Sequence, residues 1–201
     1  MQTVWPVIVG YLLGAISFSF LIGKWYKGID IRKHGSGNAG ATNTLRVLGK
    51  GPAIAVLALD ILKGVAAVLI SFWIAPDESW SHALTGLAVI AGHNWPVYFG
   101  FRGGKGIATT IGVAFTLFPL PALCAGILAI GAIFLTSFVS LGSLIFTGLL
   151  PIFCLVFTGV GPKFWLCIVI GILAYIRHRS NIVKLVQGRE NKLGSKREES
   201  Q

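Results

Sequence analysis

Residues 107–176 read IATTIGVAFTLFPLPALCAGILAIGAIFLTSFVSLGSLIFTGLLPIFCLVFTGVGPKFWLCIVIGILAYI, and across that run the only charged side chain is Lys163. A helical bilayer crossing takes about 20 apolar residues, so two crossings would leave ~25 of them without a place. Chain breakers stand at Pro119-Leu120-Pro121, around Thr136–Gly142, and at Gly159-Val160-Gly161-Pro162-Lys163. They divide the run into four pieces, roughly 107–118, 122–137, 141–158 and 163–177. The first piece is short for a full crossing.

Upstream lie three more apolar runs, near 3–23, 52–74 and 82–98. Six cations, Lys24, Lys27, Arg32, Lys33, Arg46 and Lys50, separate the first from the second. An acidic turn, Pro76-Asp77-Glu78-Ser79, separates the second from the third. After the last run come Arg177, His178, Arg179, Lys184, Arg189, Lys192, Lys196 and Arg197. Lys and Arg gather on the side kept in the cytoplasm. The expectation is an all-α polytopic membrane protein with about seven transmembrane helices, N-terminus outside and C-terminus cytoplasmic. Five crossings would give the same orientation. Residues 1–201 read as one domain with a charged tail at 194–201, and Met1–Gly23 reads as a retained helix because it lacks a basic start and a cleavage site.

Composition agrees. The chain is 54% hydrophobic and 12% charged, with mean hydropathy +0.77, against about 25% charged in soluble domains. The net charge is +10, from 17 Lys+Arg and 7 Asp+Glu. Because the cations cluster in loops, they indicate orientation and an anionic ligand or lipid rather than nucleic acid. Cys124, Cys154 and Cys167 lie in apolar runs without C-x-x-C spacing, and His34, His82, His93 and His178 lack ligand spacing. No disulfide, metal site or cofactor is therefore expected.

Within the runs, Ser17 and Ser19 are expected to bond carbonyls of their own helix. Asp60 and Lys63, three apart, share one helix face. They form either a structural ion pair or part of a polar site.

Three polar islands interrupt the apolar chain. The first, 35–46, reads GSGNAGATNTLR. Glycine-rich polar backbone beside a membrane needs a ligand or water. Its N–H groups can converge on an anion, and Arg46 adds a planar fork suited to phosphate. Gly35, Gly37 and Gly40 fit the dinucleotide pattern G-x-G-x-x-G, but no strand precedes them and the acid at the right distance, Asp60, lies in an apolar run. That context rejects a dinucleotide site. The second island, 92–106, holds Gly103-Gly104-Lys105-Gly106. It is not a Walker A loop, since positions 99 and 106 are Phe99 and Gly106. A helix starting near Ile107 would still present unpaired N–H groups and partial positive charge. The third island, 178–192, holds His178-Arg179-Ser180-Asn181-Ile182 and Gly188-Arg189-Glu190-Asn191-Lys192. Together the islands carry cations, glycine, Asn and His but few carboxylates, which suits more than one phosphate. No G-x-S-x-G elbow or activated cysteine is present, so an enzyme here would act on an already activated substrate by positioning and charge stabilisation.

Ser36–Asn43, Gly92–Pro96 with Phe101–Gly106, and His178–Ile182 with Gly188–Lys192 resemble the three cytoplasmic motifs of the bacterial acyl-phosphate-dependent glycerol-3-phosphate acyltransferases, the PlsY family. The resemblance covers nearly the whole chain. It implies transfer of a fatty acyl group from acyl phosphate to the 1-hydroxyl of glycerol 3-phosphate, giving lysophosphatidic acid and phosphate, the first step of bacterial phospholipid synthesis at the inner membrane. The H-x4-D pair of other glycerolipid acyltransferases is missing. An acyl phosphate is a mixed anhydride with a good leaving group, so the residues suit the chemistry without an enzyme nucleophile.

On this reading Ser36, Gly37, Asn38, Ala39, Gly40, Ala41, Thr42 and Asn43 bind the acyl-phosphate head. Arg46, Lys105 and Ser36 hold glycerol 3-phosphate, and Lys105 also stabilises charge on the reacting carbonyl. His178 and Asn181 orient the hydroxyl or line the phosphate pocket, joined by Ser143. His93, Asn94, Arg102 and Gly104 complete the substrate-binding set, with His93 a structural cap rather than a base. Glu190 orders the third motif by pairing with Arg179 or Arg189. Acyl phosphate, glycerol 3-phosphate and membrane lipid are the expected partners of a monomer. The rival class is a transporter or flippase of a phosphorylated metabolite or anionic lipid. That class predicts a midplane site and inverted repeats, whereas the polar groups here sit at one face.

Overall fold

The computed structural model describes residues 4–193. Among them all regular structure is helical. The helices are α1 (Val4–Gly14), α2 (Phe18–Lys27), α3 (Ala41–Leu48), α4 (Lys50–Ile74), α5 (Ser79–Asn94), α6 (Ile107–Leu117), α7 (Pro119–Thr136), α8 (Val139–Thr158), α9 (Pro162–Arg177) and α10 (Arg179–Val186). Short 3-10 turns at Ile31–Lys33 and Val97–Phe99 carry the loops between them.

Apolar helices stand at all seven expected positions. Yet only four segments among the described residues are long and apolar enough to cross a membrane: Val4–Lys27, Lys50–Ile74, Pro119–Thr136 and Val139–Thr158. Helices α9 and α10, bent by 64° at His178, make a fifth if counted as one. Helix α5 has 16 residues and ends at Asn94, four short of the expected Tyr98, because His93 and Asn94 close into the interior and Trp95-Pro96 turns the chain away. Helix α6 has 11 residues, about 16 Å of rise. It stops at Phe118 because the residue before a proline is driven out of helical geometry. Phe118 is non-helical (φ −150°, ψ 71°) and Pro119 starts α7 at once, a position where its missing N–H costs nothing.

The first run departs from expectation. It is broken at Ala15–Ser17, between α1 and α2. Ser17 and Ser19 do not bond helix carbonyls; their Oγ atoms lie 3.5 Å apart. The break releases the Ile16 carbonyl, and the Lys63 ammonium donates to it at 2.9 Å. A freed carbonyl in an apolar setting needs such a partner.

Helices approach closely through small residues. A Cβ at Gly14 would run into the Val89 backbone and one at Gly92 into Tyr11 and Ala15, which brings α1 against α5. Gly64 and Gly112 do the same between α4 and α6. Such contacts maximise dispersion where hydrophobic driving force between helices is absent. The core joins Val68, Val89, Val113, Phe118, Leu150 and Ile170 from α4 to α9. Cys154 and Cys167 are buried there, while Cys124 is half-buried. Large apolar side chains such as Trp73, Phe134 and Val156 point outward, the surface an integral membrane protein presents to lipid.

Candidate active site

The three islands converge on one cavity of about 850 Å³. Its polar end is lined by Ser36, Gly37, Asn38, Gly40, Ala41, Thr42, Asn43, Arg46, Lys105, Ser143, His178 and Asn181. Its other end is apolar, lined by Leu57, Ile111, Phe115, Leu123, Ile127, Ile130, Ile133 and Phe146. Leu123, Ile127 and Ile130 are also exposed on the outer surface, so this arm is walled by side chains that face the lipid.

The first island is shaped from beneath by Asn43. This side chain is buried; its Oδ1 accepts from the Ser36 N–H at 2.8 Å and its Nδ2 donates to the Ile31 and His34 carbonyls. Asn43 thus borders the cavity with its amide engaged in holding the loop. Gly35 and Gly37 take φ of 61° and 73°, a region open to glycine without strain. Gly40 caps α3, so the first-turn N–H groups of Ala41 and Thr42 have no helical acceptor and border the cavity. Helix α6 also begins there, at Gly106-Ile107-Ala108. Two helix N-termini and several cations thus surround one polar volume, a setting that favours anions.

Lys105 donates to Asn181 Oδ1, and Asn181 Nδ2 donates to Glu190 Oε1 at 2.9 Å. Glu190 therefore orders the third motif through Asn181, not through Arg179 or Arg189, because the α9–α10 bend turns Asn181 toward the returning 188–193 segment. That segment is pinned by the Leu193 N–H on the Ser137 carbonyl at 2.7 Å. Burial pushes the Lys105 ammonium down to about 8; Glu190 opposes this, while Arg46, Arg177 and Lys184 reinforce it.

His178 is buried at the bend. Its Nδ1 lies 2.8 Å from the Ala174 carbonyl, which can only accept, so Nδ1 carries the proton and Nε2 keeps its lone pair. Burial, then the Lys105 charge, pushes its pKa down to about 4, so the imidazole is neutral near pH 7. Ser143 donates to its own helix at Val139, leaving its oxygen as an acceptor at the cavity wall.

Not every expected residue reaches the cavity. Ala39 and Asn94 are buried behind it, Arg102 lines a separate concavity, and Gly104 supports from behind. Gly104 donates to the His93 carbonyl at 3.1 Å and a Cβ on it would strike the His93 ring and the Ala39 carbonyl. Its own carbonyl accepts from Arg177 at 2.6 Å, and that guanidinium lies 5.5 Å over Trp95. His93 touches the cavity, but its Nδ1 lies 2.9 Å from Lys63 Nζ and 3.5 Å from Asp60 Oδ1. Lys63 and Asp60 pair at 2.8 Å beneath the second island, with Asp60 also at the cavity wall.

Gly104→Ala is expected to displace the Lys105 loop and lower kcat/KM by about 10²-fold, the cost of misplacing a group by an ångström. Gly131→Ala, whose Cβ meets open space within α7, serves as the control with wild-type turnover. Equal rates in the two variants would show that the loop contact is unimportant.

Sequence reasoning missed Ser140, whose buried Oγ has no partner among the described residues and borders the cavity. Its i,i+3 spacing from Ser143 was the available signal. It also missed Arg177 as the clamp on the second island, because a basic residue at a helix end reads first as an orientation signal. The apolar arm had no sequence signal distinct from lipid-facing surface.

A family model described as Glycerol-3-phosphate acyltransferase matches residues 4–188. The chain is 55% identical over 204 residues to a glycerol-3-phosphate acyltransferase of Halalkalibacterium halodurans, covering 98% of this chain and 99% of that one. It is 42% identical to PlsY (YgiH), an integral membrane glycerol 3-phosphate acyltransferase. That protein is solved in a glycerol 3-phosphate form (TM-score 0.91) and a lysophosphatidic acid form (TM-score 0.88), each covering 96% of both chains.

Proposed function

The chain belongs to the glycerol-3-phosphate acyltransferase family, and from that premise we propose that it moves a fatty acyl group from acyl phosphate to the 1-hydroxyl of glycerol 3-phosphate, releasing lysophosphatidic acid and phosphate. The observation that carries the reading is the single cavity with a cationic end and an apolar arm. An anionic head with a fatty tail needs both. The solved relative in its glycerol 3-phosphate form supports that group as acceptor.

The first-island loop and the N-terminus of α3 hold the acyl-phosphate head, with the tail in the apolar arm. Arg46, Lys105 and Ser36 hold glycerol 3-phosphate. Nε2 of His178 accepts a hydrogen bond from the 1-hydroxyl and Ser143 lines the same wall. The hydroxyl oxygen attacks the acyl carbon, the bond from that carbon to the phosphate oxygen breaks, and the departing phosphate takes the hydroxyl proton. Phosphate suits this role because a phosphate ester's second pKa is about 6, whereas buried His178 is a weaker base. Lys105 stabilises the oxyanion that develops on the carbonyl. Ala39, Asn94 and Gly104 shape the loops rather than touch the reacting atoms, and Arg102 lies outside the cavity.

Seven crossings, with the N-terminus outside and the C-terminus cytoplasmic, put all three islands on the cytoplasmic side of the bacterial inner membrane. The cations of the 24–50 and 177–192 segments support this placement. We read the protein as acting as a monomer.

The test is turnover by purified protein in detergent, with glycerol 3-phosphate and, separately, palmitoyl phosphate, palmitoyl-CoA or palmitoylated acyl carrier protein. Acyl phosphate alone is expected to yield phosphate and lysophosphatidic acid. Turnover confined to a thioester would overturn the donor assignment.

A further inference from the structure

Beside the catalytic cavity the motif loops build a second concavity, about 320 Å³, between the 30–37 and 101–103 segments. Four cations line it, Arg32, Lys33, Arg102 and Arg177, against one carboxylate, Asp30. That carboxylate is committed to Arg32, with Nε and Nη2 each donating at 2.9 Å. Arg32 Nη1 is held by the Phe99 carbonyl at 2.6 Å. Lys33 and Arg102 are exposed, and neither side chain makes a hydrogen bond or ion pair among the described residues. The concavity therefore carries an uncompensated excess of positive charge, two of whose bearers are free to meet a ligand.

The two cavities share Gly37, Gly103 and Arg177. The partition is thus two residues without side chains and one guanidinium. A Cβ at Gly103 would collide with the His93 carbonyl, and Gly37 holds a φ of +73°, so glycine is favoured at both and the partition stays thin. The polar end of the catalytic cavity is bordered by exposed Ser36, Gly37, Arg179 and Lys184, and the concavity adjoins that solvent-facing side at Gly37. The apolar arm is walled by lipid-facing side chains, suitable for the acyl donor and the lipid product. Phosphate and glycerol 3-phosphate are small dianions that cannot cross an apolar arm without a large desolvation cost.

We propose that this concavity is an anteroom for phosphate dianions, in which Lys33 and Arg102 hold the anion between solvent and the catalytic cavity. The inference rests on the acyltransferase reading. The anion is either arriving glycerol 3-phosphate or departing inorganic phosphate. A cleft lined by one sign of charge raises the local concentration of its counter-ion and its on-rate.

The experiment uses the full chain carrying Lys33→Gln with Arg102→Gln. Steady-state assays give the KM for glycerol 3-phosphate and the inhibition constant for added inorganic phosphate, at low and high ionic strength. One or both constants are expected to rise about 3- to 10-fold at low ionic strength, and the difference from wild type to collapse near 1 M salt, where the screening length is about 3 Å. A rise in KM alone assigns the anteroom to entry, a rise in the phosphate constant alone to exit, and a rise in both to a shared route. Lys33→Glu with Arg102→Glu should enlarge the change in the same direction. The control removes two other exposed cations, Lys24 and Lys27, in the last turn of α2 outside both cavities. An equal change in that control, or no change in the Lys33/Arg102 variant, overturns the proposal. Wild-type turnover reports on the acyltransferase reading by itself, so the two can fail separately.

Discussion

Lys105→Met is expected to lower kcat/KM for glycerol 3-phosphate by about 10²- to 10³-fold, the usual cost of removing one preorganised group from a developing oxyanion. Methionine keeps the aliphatic stem, and Asn181 keeps its bond to Glu190, so size-exclusion profile and thermal midpoint in detergent should stay near wild type. The charge also predicts a pH dependence. A lysine works here only when protonated, and burial has brought its pKa down to about 8. Hence kcat/KM should be level between about pH 7, where the phosphates are dianions, and that value, and fall about tenfold per pH unit well above it. Lys105→Arg should abolish that fall at a reduced rate, because guanidinium stays charged throughout. Turnover of Lys105→Met within fivefold of wild type, in folded protein, would remove Lys105 from the chemistry.

Lys63→Met is expected to destabilise the fold by about 3–5 kcal/mol, because breaking a buried ion pair leaves its partner charge uncompensated. Both side chains are almost wholly buried, at 3% and 1% exposure. The Lys63 ammonium also serves the Ile16 carbonyl at the α1–α2 break and His93 beneath the second island. One substitution thus orphans groups on three elements. Replacing both partners, Asp60→Asn with Lys63→Met, should recover a large part of the loss by removing the buried charge altogether. Thermal unfolding in micelles, compared across the two single variants and the double, gives the coupling. Strict additivity would mean that the pair does not act as a unit.

The apolar helices were legible because hydrophobic length and proline are local signals. Pro119 forces Phe118 out of the helix whatever surrounds it, and the break between 118 and 122 was readable on those grounds alone. The break at Ala15–Ser17 was not. No proline or glycine cluster marks it beyond Gly14, and it survives because Lys63, 47 positions later, satisfies the carbonyl it frees. Residue count alone likewise did not give the end of α5 at Asn94 rather than Tyr98. Where a helix ends inside a bundle depends on which polar groups its neighbours can accept.

The site divides in the same way. Chain chemistry alone determined that residues 35–46, 92–106 and 178–192 combine glycine backbone and cations with few carboxylates, the composition from which an anion site was expected, since these are properties of the segments themselves. It also determined the membrane class, through hydropathy. Only the tertiary structure decided which of those residues face one another. It turned Asn181 onto Lys105 and Glu190, set Asn43 to hold the loop, moved Arg102 out of the cavity into the anteroom, and added Ser140 and an apolar arm. These outcomes rest on packing among α3, α6, α8 and α10, contacts between residues far apart in sequence. A side chain's type limits what it can bind, but its partners are chosen by the distances that folding imposes.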